Sequence, residues 1–340
     1  MLALGLTGCG FEHGALNGGG SGGDDGGGGG DDGGGVDTPP VAWWNTAWGF
    51  RMPITIANAS GQTLPMGYQV GISYAFYSTP CNGQRDDVRF VYGNATELNR
   101  AFDDVTPPFA WFPLAAPLAA GATSKGEYFL YCGNSAPGSG PSNPKTLFDF
   151  YDAFGQTGGV DTSVWTIKNG ATLSNGKLVC GNSGQGDNGV VTTTPAFTAN
   201  HAVDFIAIAS STSNNSWWAG FQIGTPDVPP WLHWWTEQPT TIRPDFKATD
   251  SSTLWLGTEK NLDTQPHYYT VENYGTKSMY RYDDVVYESH VYDVAPPATV
   301  SVRLWNGQST PAVSYDMVRV RKAVDPPPAV TVGAPEPRPL

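Results

Sequence analysis

The chain has 340 residues, enough for roughly two domains, and 39% of them are hydrophobic, so packed cores are expected. Only 14% of the residues are charged while 43 are Gly and 28 are Pro, which disfavours long surface helices and favours short strands joined by turns. The formal net charge of −13, with no basic stripe, excludes nucleic acid and anionic lipid as partners, and no apolar run is long enough for a transmembrane helix. We therefore predict an all-β protein.

The N-terminal segment Leu6–Cys9, with the sequence LTGC, resembles a bacterial lipobox, in which small residues precede a cysteine that becomes lipidated. The resemblance implies that residues 1–9 are a truncated signal, because the eight residues before Cys9 include no basic side chain. Gly10 in the next position is typical of sorting to the outer membrane. We expect a protein anchored in the bacterial outer membrane by its N-terminal lipid alone and facing the exterior. The alternative is a chance match at Cys9.

Residues 10–39 form a low-complexity segment, in which 13 of the 18 residues from Gly18 to Gly35 are glycine and the rest are mostly paired aspartates. Such a composition cannot bury apolar surface, so the segment is predicted to be a flexible linker. The aspartate pairs lack the fixed spacing and the turn-forming frame of calcium loops.

The first folded module is predicted at residues 40–147. It opens on a strand in which Phe50, Met52, Ile54 and Ile56 share one face, while small or polar residues alternate with them. Four further segments have strand patterns: Tyr68–Ile72, Val88–Tyr92, Phe109–Leu114 and Glu127–Cys132.

Motifs in this module resemble those of DUF2341, a family of bacterial surface proteins. In chain order they are Trp48–Ile56 (WGFRMPITI), Asp87–Phe90 (DVRF), Ala120–Thr123 (AGAT) and Tyr131–Asn134 (YCGN), with Cys132 in place of the usual Tyr. The family has no established activity, so the resemblance implies an architecture and a cell-surface setting but no chemistry.

The second module is predicted at residues 148–335. In the same family a segment like Phe148–Phe154 (FDFYDAF) leads into a concanavalin A-like jelly roll, and a segment like Tyr315–Lys322 ends it. Many short strand patterns lie between these two segments, and their number alone favours a two-sheet β-sandwich. The expected fold is therefore an N-terminal β-sandwich module followed by a concanavalin A-like (LamG-like) jelly-roll sandwich.

A cluster of tryptophans in the second module is the first candidate site, because aromatic faces stack on sugar rings. Its members are Trp217, Trp218, Trp231, Trp234 and Trp235. Adjacent residues of a strand point to opposite faces, so at most one member of each adjacent pair is core. The cluster is interpreted as a glycan-stacking platform, with packing against another sheet or module as the alternative.

Two aspartates are candidate ligands of a structural calcium ion. Asp152 shares strand parity with neighbouring phenylalanines, and Asp316 shares parity with Val318 and Val320, so both carboxylates are expected on buried faces. Calcium would satisfy them, and so would backbone N–H groups or an arginine. No other cofactor is expected.

Three cysteines remain after Cys9: Cys81, Cys132 and Cys180. An exported protein faces an oxidising environment, so one disulfide and one odd thiol are expected. A bond between Cys81 and Cys132 is preferred, and a bond between Cys132 and Cys180 is the alternative that would join the modules.

Catalytic motifs are missing from the sequence, including the E-x-D-x-E run of jelly-roll glycosidases, the G-x-S-x-G elbow and zinc motifs. We therefore expect a protein that is not an enzyme and that binds an extracellular glycan or a surface protein. One alternative is a glycoside hydrolase or other polysaccharide-acting enzyme whose acids meet only in the fold. Another is a purely structural or adhesive stalk.

Overall fold

The structure is a computed structural model that describes residues 42–73, 80–81, 85–103, 108–124, 126–181, 187–193, 197–222, 229–236, 240–248, 254–294, 296, 299–308 and 311–339. Cys9 and the Gly/Asp-rich segment lie outside these residues, so lipidation and the linker stay predictions. Within the described residues, every helix is too short or too polar to cross a membrane.

In the described part of residues 42–132, the first module has seven strands: β1 Phe50–Ala57, β2 Gln69–Ser73, β3 Arg89–Tyr92, β4 Thr96–Glu97, β5 Ala101–Asp103, β6 Phe109–Pro113 and β7 Tyr128–Cys132. The alternation predicted for β1 holds, since Met52, Ile54 and Ile56 are buried and the residues between them are half-buried. Strands β1, β7, β3 and β4 form one sheet, and β2, β6 and β5 form the other. Phe90 and Phe112 stack between the two sheets with ring centroids 4.5 Å apart.

A single-turn helix, α1 (Pro144–Leu147), connects the modules. The Asn143 side chain caps it by accepting a hydrogen bond from the backbone N–H of Lys145. The residues that the structure describes in the second module then form sixteen strands: β8 Phe150–Asp152, β9 Trp165–Lys168, β10 Thr172–Ser174, β11 Lys177–Cys180, β12 Asn188–Thr192, β13 His201–Ala209, β14 Trp217–Gln222, β15 Trp231–Trp235, β16 Thr241–Lys247, β17 Leu254–Leu256, β18 Lys260–Asn261, β19 His267–Asn273, β20 Lys277–Tyr282, β21 Val285–Val291, β22 Ser301–Asn306 and β23 Val313–Lys322.

These strands form two antiparallel sheets that pack face to face. One sheet has the order β10-β11-β23-β13-β19-β20-β21, and the other has the order β17-β16-β15-β14-β22-β12-β9. Side chains from both sheets interleave in the core, where Trp217 and Trp234 contact Tyr269 edge-on. The predicted fold class, an all-β chain with an N-terminal β-sandwich and a jelly-roll sandwich, is confirmed.

The last strands of the chain belong to the first module. After β23 the chain returns, and both β24 (Ala329–Val332) and β25 (Glu336–Pro337) pair with β1. The predicted end of the second module at residue 335 is therefore corrected to the region just after Lys322. Backbone hydrogen bonds between segments this far apart in sequence leave no local pattern that could have revealed the return.

A buried ion network joins the modules. The Arg319 guanidinium donates to Asp103 of the first module at 2.8 Å and to Asp204 of the second at 2.8 Å. Arg321 also donates to Asp204, at 2.9 Å, and the Trp111 indole donates to Asp103 at 2.7 Å. Because Arg319 is 0% exposed, these carboxylates compensate a charge that water does not reach.

The cysteines divide into one bonded pair and one thiol. Cys81 and Cys132 form a disulfide within the first module. Cys180 is a free thiol in the core of the second module, and burial raises the pKa of that thiol.

Candidate functional site

The outer face of the sheet that contains β14, β15, β16 and β22 forms a groove of about 380 Å³. Strand alternation directs every second side chain of these strands to this face, while their neighbours enter the core. The described residues that line the groove are Ser216, Trp218, Trp231, His233, Trp235, Asp245, Lys247, Leu254 and Arg303.

Strand register aligns four residues across the floor of the groove. Arg303 on β22 is opposite Gly220 on β14, Gly220 is opposite His233 on β15, and His233 is opposite Asp245 on β16. We call these four residues the middle row. The rows on either side are Trp305, Trp218, Trp235 and Arg243, and Ser301, Gln222, Trp231 and Lys247.

The five tryptophans of the sequence-predicted platform divide between the two faces. Trp218, Trp231 and Trp235 are half-buried and line the groove. Trp217 and Trp234 are 1% and 0% exposed and lie in the core, so their assignment to a glycan-stacking surface is corrected. The reason is the alternation itself, which sends one member of each adjacent pair inward.

Cations stack on the groove tryptophans. The Arg303 guanidinium lies 5.0 Å from the ring centroid of Trp218, and Lys247 Nζ lies 5.0 Å from that of Trp231. Arg243 stacks in the same way on Trp235, at 5.0 Å. These contacts fix the rings and place positive charge along the walls of the groove.

His233 is the titratable group with the most unusual setting in the groove. It is 3% exposed, its ring lies parallel to that of Trp231, and its Nε2 atom has no hydrogen-bond partner among the described residues. Burial, with a further contribution from the Arg303 charge, lowers the pKa of His233 well below its usual value. The imidazole is therefore neutral at pH 7.

The other polar groups of the floor are held by hydrogen bonds. Asp245 Oδ2 accepts a hydrogen bond of 2.6 Å from the Trp231 indole, and Arg303 donates to the Gln222 side chain. Asp245 and Arg303 thus lie at opposite ends of the middle row, with His233 and the gap at Gly220 between them.

Gly220 leaves the middle row without a side chain at its second position. A Cβ atom there would lie 2.1 Å from the carbonyl oxygen of Leu232, and φ is +153°, so glycine is required. Neighbouring strands are about 4.8 Å apart, which separates the backbones of Arg303 and His233 by about 10 Å. The Arg303 side chain reaches across this position, since its guanidinium bonds to Gln222 and stacks on Trp218, the residues two positions on either side of Gly220 in β14.

The two aspartates predicted to bind calcium do not come together. Asp152 accepts hydrogen bonds from the Trp165 indole at 2.8 Å and from the backbone N–H of Phe154 at 2.7 Å. Asp316 is the extra residue of a β-bulge, which turns it outward to an ion pair with Lys177 at 2.5 Å. The calcium assignment is therefore corrected, and the described residues contain no cluster of three potential metal ligands.

His233, Asp245, Arg303 and Gln222 were missed as site residues by the sequence analysis. His233 stands inside the tryptophan cluster, but a lone histidine in a strand carries no metal or nucleophile motif. The alternation of side chains along a strand could have identified it, since His233 lies on the same face of its strand as Trp231 and Trp235.

Comparison with known proteins finds no matching family model and no matching curated relative. Solved structures match about half of the chain. They include a structure reported with the endo-acting O-glycanases of the human gut microbiota, with 17% identity, a TM-score of 0.42, and coverage of 52% of this chain and 99% of that one. An endo-β-1,3-glucanase from Pyrococcus furiosus matches with 14% identity, a TM-score of 0.40 and coverage of 52% and 94%. A GlcNAcα1-4Gal-releasing endo-β-galactosidase from Clostridium perfringens matches with 15% identity, a TM-score of 0.42 and coverage of 52% and 63%.

These similarities concern the fold, and no residue is carried over from those proteins. They nevertheless correct one prediction from the sequence. The solved structures named here are enzymes that act on glycans, so this fold does not imply the absence of catalysis, and the prediction of a protein that is not an enzyme is withdrawn. Its basis was the lack of catalytic motifs along the chain, whereas the middle row is assembled from four separate strands.

Proposed function

We propose that the protein is a polysaccharide-acting enzyme of the jelly-roll type, with the glycan chain lying along the tryptophan-lined groove. The observation that carries the proposal is His233, a neutral imidazole that lines the groove among half-buried tryptophans although its Nε2 atom is buried and has no hydrogen-bond partner among the described residues. A cleft that contains a strongly shifted titratable group is a candidate active site.

The walls of the groove suit a glycan. Trp218, Trp231 and Trp235 are half-buried, and each offers aromatic surface to the apolar face of a sugar ring. They lie in rows on both sides of His233, so stacked sugars would place a bond of the chain over the imidazole. His233 is then positioned to act as a general base, since it is neutral at pH 7.

The test is turnover of a panel of polysaccharides by the purified full chain, measured as new reducing ends and by mass spectrometry of the products. We expect His233→Gln to lower kcat by about 100-fold or more, the range typical of a lost general base. His290→Gln is the matched control, because His290 is a part-buried histidine on the opposite sheet. Binding without cleavage of any polymer would refute catalysis at this site.

Trp218→Ala and Trp235→Ala test the stacking surface separately. Both variants should raise KM or weaken glycan binding with little change in thermal stability, because these side chains are not part of the core cluster. Unchanged affinity in both would show that the glycan does not lie on the tryptophans.

We propose in addition that the protein is a surface lipoprotein with lipid on Cys9 and a DUF2341-like first module. The LTGC sequence, the glycine-rich tether behind it and the motifs of residues 48–134 support this setting. Metabolic labelling with a fatty acid, in the natural chain and in Cys9→Ser, tests it. Equal labelling of both would refute lipidation at Cys9.

A further inference from the structure

The groove is locally basic although the chain is acidic, with a formal net charge of −13. Arg303 lies on the floor, and its positive charge adds to the effect of burial in lowering the pKa of His233. Lys247 lines the wall and has no carboxylate within ion-pair distance among the described residues. Asp245 is the one carboxylate among the described lining residues, and it is bound to the Trp231 indole.

From this juxtaposition we infer that the groove takes a glycan containing uronic acid and that the chain is cleaved by β-elimination. The inference rests on the proposed function and names its substrate class and reaction. Arg303 and Lys247 supply cations for the uronate carboxylate, and His233 supplies a neutral base beside them in the groove lining.

Hydrolysis is the competing reaction, and the groove is poorly equipped for it. Glycoside hydrolysis uses two carboxyl groups, one as acid and one as base or nucleophile. The described lining residues supply only Asp245, which already accepts a short hydrogen bond of 2.6 Å. Elimination needs no second carboxylate, because the substrate's own carboxylate makes the neighbouring C5–H acidic once a cation offsets its charge.

The step balances without water or an oxidant. The His233 imidazole takes the proton from C5 of the uronate, and the C5–H electron pair forms a double bond between C4 and C5. The bond from C4 to the glycosidic oxygen breaks, and its electrons leave with that oxygen. The His233 imidazolium returns the proton to the departing oxygen, which leaves a new hydroxyl end and an unsaturated uronide. Arg303 stabilises the negative charge that builds up on the carboxylate during proton removal.

The experiment compares charged and uncharged forms of the same polymer. The purified full chain is incubated with polygalacturonate, alginate and hyaluronan, with each polymer after chemical reduction of its carboxylates to alcohols, and with neutral β-glucan and galactan. Two signals are followed: the ultraviolet absorbance of the unsaturated uronide and the appearance of reducing ends. We expect both signals from at least one native polyuronate and neither from its reduced form.

The two proposals fail differently. Reducing ends without the ultraviolet signal, from any polymer, would overturn elimination and leave the polysaccharide-acting enzyme standing. No cleavage of any polymer would overturn the proposed function, and this inference with it.

Variants test the cations. Arg303→Lys keeps the charge but loses the planar guanidinium, and we expect it to lower kcat on the polyuronate by about 100-fold, as for a lost transition-state donor. If Arg303 variants do not fold, Lys247→Gln tests the cation on the groove wall instead. We expect this variant to have a higher KM for the polyuronate and a KM that depends less on salt concentration. Lys177→Gln is the control, because Lys177 pairs with Asp316 outside the groove. Unchanged kinetics in both groove variants would overturn the role of the cations.

Discussion

Replacing Arg319 by Met tests whether the buried ion network holds the two modules together. The substitution keeps an unbranched apolar stem but removes the guanidinium that bridges Asp103 and Asp204. Asp204 retains Arg321 at 2.9 Å, whereas Asp103 keeps only the Trp111 indole. The variant therefore leaves a buried carboxylate with its charge uncompensated.

The expected cost follows from burial. Arg319 is 0% exposed and the side chain of Asp103 is 6% exposed, so water does not replace the lost contact. Breaking a buried pair by removing one partner costs about 3–5 kcal/mol. For a module of this size each kcal/mol lowers Tm by about 2–4 °C, so the free-energy loss corresponds to about 6–20 °C.

The effect of Arg319 should also depend on pH. Burial tends to raise the pKa of the Asp204 carboxyl, but the charges of Arg321 and Arg319 outweigh it and hold that pKa below its usual value. A lowered folded-state pKa contributes stability that is present above the unfolded pKa of about 3.9 and is lost as the pH falls below it. The difference between the natural chain and Arg319→Met should therefore be largest above about pH 5 and should narrow in more acidic buffer.

Thermal and urea unfolding measure the cost. Lys177→Met is the matched control, because Lys177 pairs with Asp316, which is on the same strand as Arg319, and this ion pair is partly exposed and is expected to contribute about 0–1 kcal/mol. A double-mutant cycle of Arg319→Met with Asp103→Asn isolates the contact between modules. A cost within about 1 kcal/mol of the control would refute the reasoning about burial.

Four further outcomes are expected. Replacing Cys81 and Cys132 together by Ser should lower the free energy of unfolding by about 2–4 kcal/mol. As a control, a reducing agent should leave the Tm of this variant unchanged, because the variant has no disulfide between these positions. Cys180 should react with a thiol reagent only at the rate of unfolding, because it is buried and the pKa of its thiol is raised; fast labelling of the folded chain would contradict this. Ending the chain at Val324 removes β24 and β25, which pair with one edge of β1, so amide hydrogen exchange in β1 should accelerate. Unchanged exchange would show that the two returning strands do not protect β1. The acid limb of kcat/KM should lie below pH 6.5, since burial and Arg303 lower the pKa of His233; a limb above that value would contradict neutral-base catalysis.

Much of the fold could be predicted from local sequence patterns. Alternation in β1 identified which side chains enter the core, because the strand has one buried face and one outer face. Composition indicated short strands and turns, and the structure has them throughout. The Asp283–Asp284 turn shows the limit of residue rules, since both aspartates adopt positive φ without the glycine that such hairpins usually contain.

Other features depend on pairing that no single segment encodes. The parity of Asp316 with Val318 pointed inward, but the bulge opposite Ile206 shifts the register and turns the carboxylate outward. Within the motif Phe148–Phe154 only Phe150–Asp152 is a strand, because the residues before it form a helical turn and its end.

The groove depends both on patterns within single strands and on pairing between strands. Its tryptophan surface could therefore be predicted from the sequence, whereas the set of polar residues on its floor could not. Parity within one strand predicts that Trp218 and Trp235 face away from Trp217 and Trp234, and it needs no knowledge of neighbours. The middle row needs three registers at once, because its members come from four strands. A slip of one residue in β22 would bring a core residue beside Gly220 and remove Arg303 from the groove. A cation and a neutral base therefore become a candidate active site only when the sheet is assembled, and no motif along the chain encodes that assembly.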